Sequence, residues 1–535
     1  EMYAAIGAIV LQQAHDLSDE ETVDQLAFNT QWHFALDIPE ESDGAKYICA
    51  KTLWNMRKVI TDNGLDGVTF DAITGKLAEV FGVDTKKQRL DSVHIKSNMG
   101  RMSRLGIFVK AIKKFLSNLK RQHRGLFDEL DEELIEKYMC KGEFGCFSWV
   151  KPSEMKKKLP EVAQDLFDLI GRFSDKDEVN GMSSFNLLIR VLEEQCEVSA
   201  SKSRRYPDRM TVSVRPAAEV PSDSLQNPSD PDASYDGHKG QGYQVQIMET
   251  YNEEEDTAEK EKKLNLITHV EVEAAHKSDA NALMPAIESA MERELGPEEL
   301  LADSLYGSDE NVEAARKKGV EVVAPTMGKK SEKKIALSDF EFNDKGSVSK
   351  CPGGQAPKRV KRNGERHTAA FEEKQCASCP ISADCPAKPG KKRRYLRYDS
   401  KAMRLAKRRA SEAGQAFRDR YRYRAGVEAT MSEYDRVTGA KQLRVRGSPS
   451  VRMAAKLKAC AINLFRATRV RKALNEGGDT RKAGGSGSEI VLDGAVSGVS
   501  GAISEVSNAM AAICGRVERF FDPAYAGREI WAEAA

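Results

Sequence analysis

The sequence predicts an α/β fold built around a mixed central sheet, and three observations carry that expectation. Between residues 86 and 326 strand-like and helix-like patterns alternate, which implies a sheet with helices on its faces. Two of the strand patterns, "GYQVQIMETY" and "LNLITHVEVEAA", are joined only by the polar stretch "EEEDTAEKEKK", so they form a hairpin and make the sheet mixed. The first strand, "RLDSVHIKSN", is separated from that pair by more than a hundred residues of largely helical character, too much for a connection and therefore an insertion.

The remaining elements follow in order. Residues 1–80 read as a helical N-terminal module. Ser18 and Glu21 form a capping-box pattern ahead of "ETVDQLAFNTQWHFALDI", and "AKTLWNMRKVI" ends at "DNG". Residues 86–98 hold the first strand. Residues 99–205 are helical, with Leu105, Phe108, Ile112, Phe115, Leu116 and Leu119 at 3.6-residue spacing. The basic residues between them, Lys113, Lys114, Lys120 and Arg121, read as a solvated face. Residues 206–234 are a connector rich in Pro, Ser and Asp. Residues 235–330 return to the sheet: the hairpin, the helix "ANALMPAIESAMEREL", the strand "ELLADSLYG", the helix "DENVEAARKKG" with acids first and Lys-Lys-Gly last, and the strand "VEVVAPT". Residues 340–390 carry a cysteine cluster, 391–470 read as basic and helical, and 471–535 as a flexible linker and tail.

Composition narrows the setting. The chain has 535 residues, 40% hydrophobic and 31% charged, with a net charge of +1, so cores are affordable and any charge effect must be local. No apolar run is long enough to span a membrane, and no secretory signal pattern is visible. Ten cysteines are too few for a disulfide scaffold, which points to a reducing cytoplasm.

One stretch poses a chemical question. Asp91 lies inside a strand that otherwise reads as buried, and a buried carboxylate needs a partner or a metal. Alternation puts Asp91, Val93 and Ile95 on one face. Asp303 sits at the end of a later strand, before a turn, where sites of open α/β sheets lie. Tyr421, Arg424 and Glu428 stand at i, i+3 and i+7. By spacing alone, that last group reads as one face of a salt-bridged amphipathic helix.

Together these residues resemble the DDE triad of bacterial insertion-sequence transposases. The spacing Tyr421-x2-Arg424-x3-Glu428 is similar to the signature around the catalytic Glu of that family. Where the signature carries a Lys seven residues after the Glu, this chain has Asp435, followed by Arg436. The resemblance extends over roughly residues 10–470, through "VDQLAFNTQWHFALDI", "LDSVHIKSNM", "NPSDPDASYDGHKGQGYQVQ", "LLADSLYGSDEN", "CASCPISADC" and "LRVRGSPSVRMAAKLKACAINLFR". It implies an RNase H-like core, a DNA-binding N-terminal domain, and a catalytic set of Asp91, Asp303 and Glu428 sharing two Mg²⁺ (or Mn²⁺) ions. It further implies hydrolysis at the element's terminal inverted repeats, strand transfer into target DNA, a homodimer in the synaptic complex, and a nucleoid-associated protein of the cytoplasm. An inactive DNA-binding derivative and a nuclease without strand transfer are the alternatives.

Two further groups complete the expected sites. Cys351, Cys376, Cys379 and Cys385 include a C-x2-C knuckle and could close a tetrahedral zinc site, with His367 able to replace one of them; four reduced thiols without metal is the alternative. Between Lys391 and Arg424 there are fourteen Lys and Arg against three Asp and Glu. Such local charge binds phosphates by counterion release. The expected DNA contacts are Lys391, Lys392, Arg393, Arg394, Tyr421, Arg424, Arg436, Arg444 and Arg446.

Overall fold

The computed structural model describes residues 2–36, 38, 47–100, 102–139, 150–200, 210–327 and 335–479. Eight strands precede the cysteine-rich region: β1 Lys87–Lys96, β2 Cys196–Ala200, β3 Met210–Val214, β4 Ser234–Asp236, β5 Gly240–Thr250, β6 Ile267–Ala274, β7 Glu299–Leu301 and β8 Glu321–Val323. The central sheet runs β6-β5-β1-β7-β8, with β4 paired to the start of β5. β5 is antiparallel to both β1 and β6, while β7 and β8 run parallel to β1 and to each other. The expected mixed sheet is therefore present.

Helices cover both faces. On one face Val93, Ile95, Val245 and Ile247 pack against the helices Leu65–Val80, Gly426–Thr438 and Ser448–Asp479. On the other, Leu90 and Met248 meet Leu283, Ala286 and Ile287 of the helix Leu283–Met291, together with Tyr306 and Ala315. With both faces covered, β5 is buried almost throughout, and its polar residues must find partners inside the protein.

The stretch between β1 and β4 builds a core of its own. Leu105, Phe108, Ile112, Phe115, Leu116 and Leu119 are all buried on the helix Arg104–Gln122. They pack against the helices Pro152–Phe173 and Ser183–Gln195, with Phe115 edge-on to Phe173 at 5.5 Å. β2 and β3 pair beside this core, so part of the segment expected as a connector is strand. Short stretches of alternating Val and Ser within Pro- and Ser-rich surroundings hid β3.

At the N-terminus, Ser18 and Glu21 form the expected capping box: the Glu21 amide donates to Ser18 Oγ (3.2 Å) and the Ser18 amide to Glu21 Oε2 (2.7 Å). These helices do not stand apart. Ile6, Ile9, Leu53 and Ile60 share a core with Met453 and Leu457 of the C-terminal helix. Buried Lys458 on that helix donates to Asp16 Oδ1 (3.0 Å), to the Gln13 carbonyl and to the Thr438 carbonyl. Gly439 ends the helix Gly426–Thr438 at φ +64°, and a Cβ there would lie 2.8 Å from Asp16 Oδ2, so glycine serves both the turn and the approach.

The cysteine-rich region forms small sheets: β9 Glu341–Phe342 with β10 Val348–Lys350, and β11 Arg359–Asn363, β12 Arg366–Glu372, β13 Lys388–Pro389 and β14 Arg393–Asp399 in the order β11-β12-β14-β13. β14 corrects the expectation that residues 391–470 are helical throughout. Leu396 and Tyr398 alternate inward along it, but four consecutive basic residues masked the alternation. The expected linker from residue 471 is likewise shortened, because the last helix runs to Asp479; the tail from residue 480 lies outside the described residues. Among the described residues no helix is long and apolar enough to cross a membrane.

His269, on β6, makes a pH prediction. Burial pushes its imidazole down from 6.5 to about 3, and the neighbouring Arg293 and Lys456 charges act in the same direction. The unfolded chain therefore takes up the proton first, so stability that is complete above pH 6.5 is lost as pH falls toward 3. Between pH 6.5 and pH 5 this one group removes about 2 kcal/mol. Urea midpoints at the two pH values should fall less in His269→Leu than in the wild type; an equal fall in both would refute the assignment.

Candidate active site

The central sheet and two C-terminal helices bring together residues more than 330 positions apart. Asp91 lies at the middle of β1, opposite Ile247 of β5. On the other side β1 pairs with β7 in the register Arg89 to Leu301. Asp303 comes two residues after that pairing ends, near enough for its charge to act on Asp91. Asp303 stands just past the end of β7, where its Oδ1 accepts the Leu305 amide at 2.8 Å and shapes the turn. The helix Gly426–Thr438 packs over the same face and brings Glu428, while the turn Arg422–Ala425 brings Arg424.

Arg424 is the partner that Asp91 and Glu428 share. Its Nη2 lies 2.7 Å from Asp91 Oδ2 and its Nη1 2.9 Å from Glu428 Oε1. The side chains differ in setting: Asp91 is 16% exposed and Glu428 68%. Burial pushes the Asp91 carboxyl above the ordinary Asp range, against the pull of Arg424 and of the Ser92 amide (2.8 Å to Oδ1); the charges of Asp303 and Asp279 push it further up. Tyr421 is half-buried, stacks on Phe417 at 5.3 Å, and senses the charges of Arg424, Asp303 and Asp91. The carboxylate embedded in the first strand is thus compensated by a guanidinium. Among the described residues no group of three or more His, Cys, Asp and Glu side chains is arranged to hold a metal ion.

Beneath this site is a group that sequence reasoning missed. Glu249 on β5 is fully buried. Its oxygens accept from Arg89 Nε (2.7 Å), Arg466 Nη1 (2.8 Å) and Thr430 Oγ1. Arg89 also donates to the Tyr423 carbonyl (2.8 Å), and Arg466 reaches Glu433 (2.8 Å). The network joins the sheet to the turn and helix that carry Arg424 and Glu428. It also dictates Gly426, because a Cβ there would lie 2.0 Å from Arg89 Nη1. The available signal was a Glu in an otherwise buried strand, the same signal that singled out Asp91.

The expected DNA contacts divide. Lys391 and Lys392 are exposed, but they precede β14 and belong with the small sheet. Arg393 is half-buried on β14 opposite Glu372. Arg394 turns inward, with Nη1 donating to the Ser382 carbonyl (3.3 Å) and Nε 3.6 Å from Glu373, so it is removed from the exposed set. Arg436 is exposed on the helix of Glu428. Arg444 is exposed and 3.6 Å from Asp16, and Arg446 is exposed with Nη1 near Met99 Sδ. Asp435, at the signature's Lys position, pairs with Lys441 at 3.4 Å. Much of the basic block is structural: Arg404 grips Asp309, Arg408 donates to the carbonyls of Gly307 and Ala324, and Arg420 pairs with Glu299 and Glu321.

The four cysteines converge. Cys351, Cys376, Cys379 and Cys385 line one small cavity with Phe340, Phe371 and Arg394. All four are free thiols. Burial pushes the Cys376 thiol up, Arg394 opposes this, and Cys385 and Cys351 add to it. His367 does not line that cavity; it is buried and stacked on Tyr398 at 5.0 Å.

Removing Glu249 should be costly, because it leaves Arg89 and Arg466 as uncompensated buried charges. Glu249→Ala is expected to lose about 3–5 kcal/mol. Urea unfolding of the two proteins measures it, and a loss below about 1 kcal/mol would show that the network does not hold the helix in place.

Comparison with known proteins gives one match. Residues 350–468 fit the family model described as a transposase DDE domain. No curated protein and no solved structure matches the chain. The matched stretch contains the four cysteines, the basic block, Arg424 and Glu428, and ends on the helix that carries Arg466. Over residues 350–468, about a fifth of its length, the chain is similar to the transposase DDE domain family.

Proposed function

We propose that this chain uses Asp91, Asp303 and Glu428 as its catalytic triad, cleaving DNA at the ends of an insertion element and joining the freed 3′-hydroxyl to a target. The observation that carries the reading is the shared guanidinium: acids on the first strand and on a C-terminal helix lie within reach of one cation. The strand order supports it. Three antiparallel strands followed by two parallel ones, with helices on both faces, agree with an RNase H-like core.

The donor set is all carboxylate oxygen, which suits Mg²⁺ or Mn²⁺. Arg424 stands in for a cation between two of its three members. Divalent metal held by Asp91, Asp303 and Glu428 would activate the attacking water and stabilise the leaving oxygen of the phosphodiester. The chain's own residues do the rest. The backbone of β1 and the turn after β7 fix the two aspartates. The Glu249 network fixes the helix of Glu428. Arg424 is placed to exchange its carboxylates for the charge of an entering phosphate, and Tyr421 packs beside it. Two copies would be needed to pair two DNA ends.

For the cysteines the reading rests on donor chemistry alone: four thiols that line one small cavity have the donor set of a closed tetrahedral zinc site, although as the side chains stand no three of them are arranged to hold a metal ion.

Two measurements test these assignments. On DNA carrying the gene's own flanks, with Mg²⁺ present, Asp303→Asn should cut roughly 10²-fold or more slowly, the scale on which one preorganised catalytic group acts. Cutting at the wild-type rate would end the triad assignment. Elemental analysis of protein purified without chelator should find about one zinc per chain, and little in a Cys376→Ser, Cys379→Ser double variant; a wild-type protein free of zinc rejects the site.

A further inference from the structure

Next to the candidate site a groove of about 930 Å³ lies between the helix Gly426–Thr438, the β5–β6 loop and the C-terminal helix. Its wall includes Gly426, Ala429, Thr430 and Glu433, and so begins one residue from Glu428. Eight Lys and Arg line it against two Glu. Apart from Arg89 on β1 and Arg466, which Glu249 holds, they come from four separate elements: Lys260 and Lys263 from the β5–β6 loop, Arg422 from the turn, Arg436 from the helix, and Arg469 and Lys472 from the C-terminal helix. On a chain whose net charge is +1, that concentration is local.

The cations are not equivalent. Arg466, in the wall, is neutralised by Glu249 and Glu433, and Arg469 also reaches Glu433. Lys263 pairs with Glu254 and Arg422 with Glu255. Lys260 and Arg436 are exposed and have no acidic partner among the described residues. The aromatic wall is already engaged: Tyr423 stacks on Tyr251 at 5.6 Å and carries the Arg422 guanidinium 4.8 Å from its ring. A groove that offers free cations but no free ring suits a phosphate backbone, not stacked bases.

We infer that this groove takes the sugar-phosphate backbone of a nucleic-acid strand leaving the carboxylates, without reading its sequence. The inference rests on the transposase reading for its choice of polyanion. From Glu428 to Arg436 the helix rises about 12 Å, enough for roughly three phosphates along one strand of a duplex.

The test is binding of full-length protein to labelled DNA duplexes of two unrelated sequences, without divalent metal, over a series of salt concentrations. The Lys260→Gln, Arg436→Gln double variant should fold as the wild type does, since neither side chain holds a partner. Its log K against log salt should be shallower by about 1.8 on duplex and about 1.4 on single-stranded DNA of the same sequences. The change should be equal for both sequences. An unaltered slope overturns the groove, and a loss confined to one sequence overturns the claim that bases are not read. The outcomes separate from those of the catalytic reading. A protein that binds but never cuts its own flanks sinks the triad and leaves the groove, whereas cutting that depends on Asp303 beside an unaltered slope does the reverse.

Discussion

A single buried carboxylate organises the site. Glu249 sits in the interior of β5 with no access to water, and it is tolerated there because Arg89 and Arg466 reach it from neighbouring elements. Each ion is costly to bury alone, and the geometry compensates all three only when sheet, turn and helices are in place together. Several local features follow. Gly426 has no side chain because Arg89 occupies that space. Thr430 spends its hydroxyl on Glu249. The turn of Arg422–Ala425 is tied down through the Tyr423 carbonyl. The helix bearing Glu428 thus has one seat on the sheet, although Glu428 itself is largely exposed.

The acids above this network obey the same electrostatics with the opposite emphasis. Asp91 is in the sheet, where burial disfavours its charge, and a guanidinium offsets part of that cost. The same guanidinium holds Glu428 on its other nitrogen. A hydrogen-bonded pair inside the protein and a site for an exogenous cation make the same demand, namely positive charge beside converging oxygens. The structural role of Arg424 and the chemical role proposed for it are therefore two uses of one geometry.

Much of this was legible in the sequence. Alternation placed Asp91 with Val93 and Ile95, and the structure has all three on the face covered by the C-terminal helices. The hairpin β5–β6, the parallel strands and their helices followed from period and turn residues. What stayed hidden was hidden for physical reasons. β14 is a strand whose basic residues swamp its alternation, and β3 is five residues long within Pro- and Ser-rich chain. The partners of Glu249 come from β1 and from a helix more than 200 residues later, and no local pattern encodes such a meeting. Composition also overstated the basic block, because Arg394, Arg404, Arg408 and Arg420 spend their charge inside the protein.

The helical segment inserted after β1 has a consequence for how the molecule is made. Its core closes among residues 105–225, and so it can collapse as soon as that stretch leaves the ribosome. β1 cannot. Its antiparallel neighbour begins at Gly240 and its parallel one at Glu299, so the strand that carries Asp91 waits unpaired while the insertion is synthesised, roughly ten to thirty seconds at about 5–20 residues per second. The lid on its face, the helix Ser448–Asp479, arrives later still. The early-folding insertion shortens the effective loop between β1 and β5, which lowers the entropy lost when these distant partners finally meet.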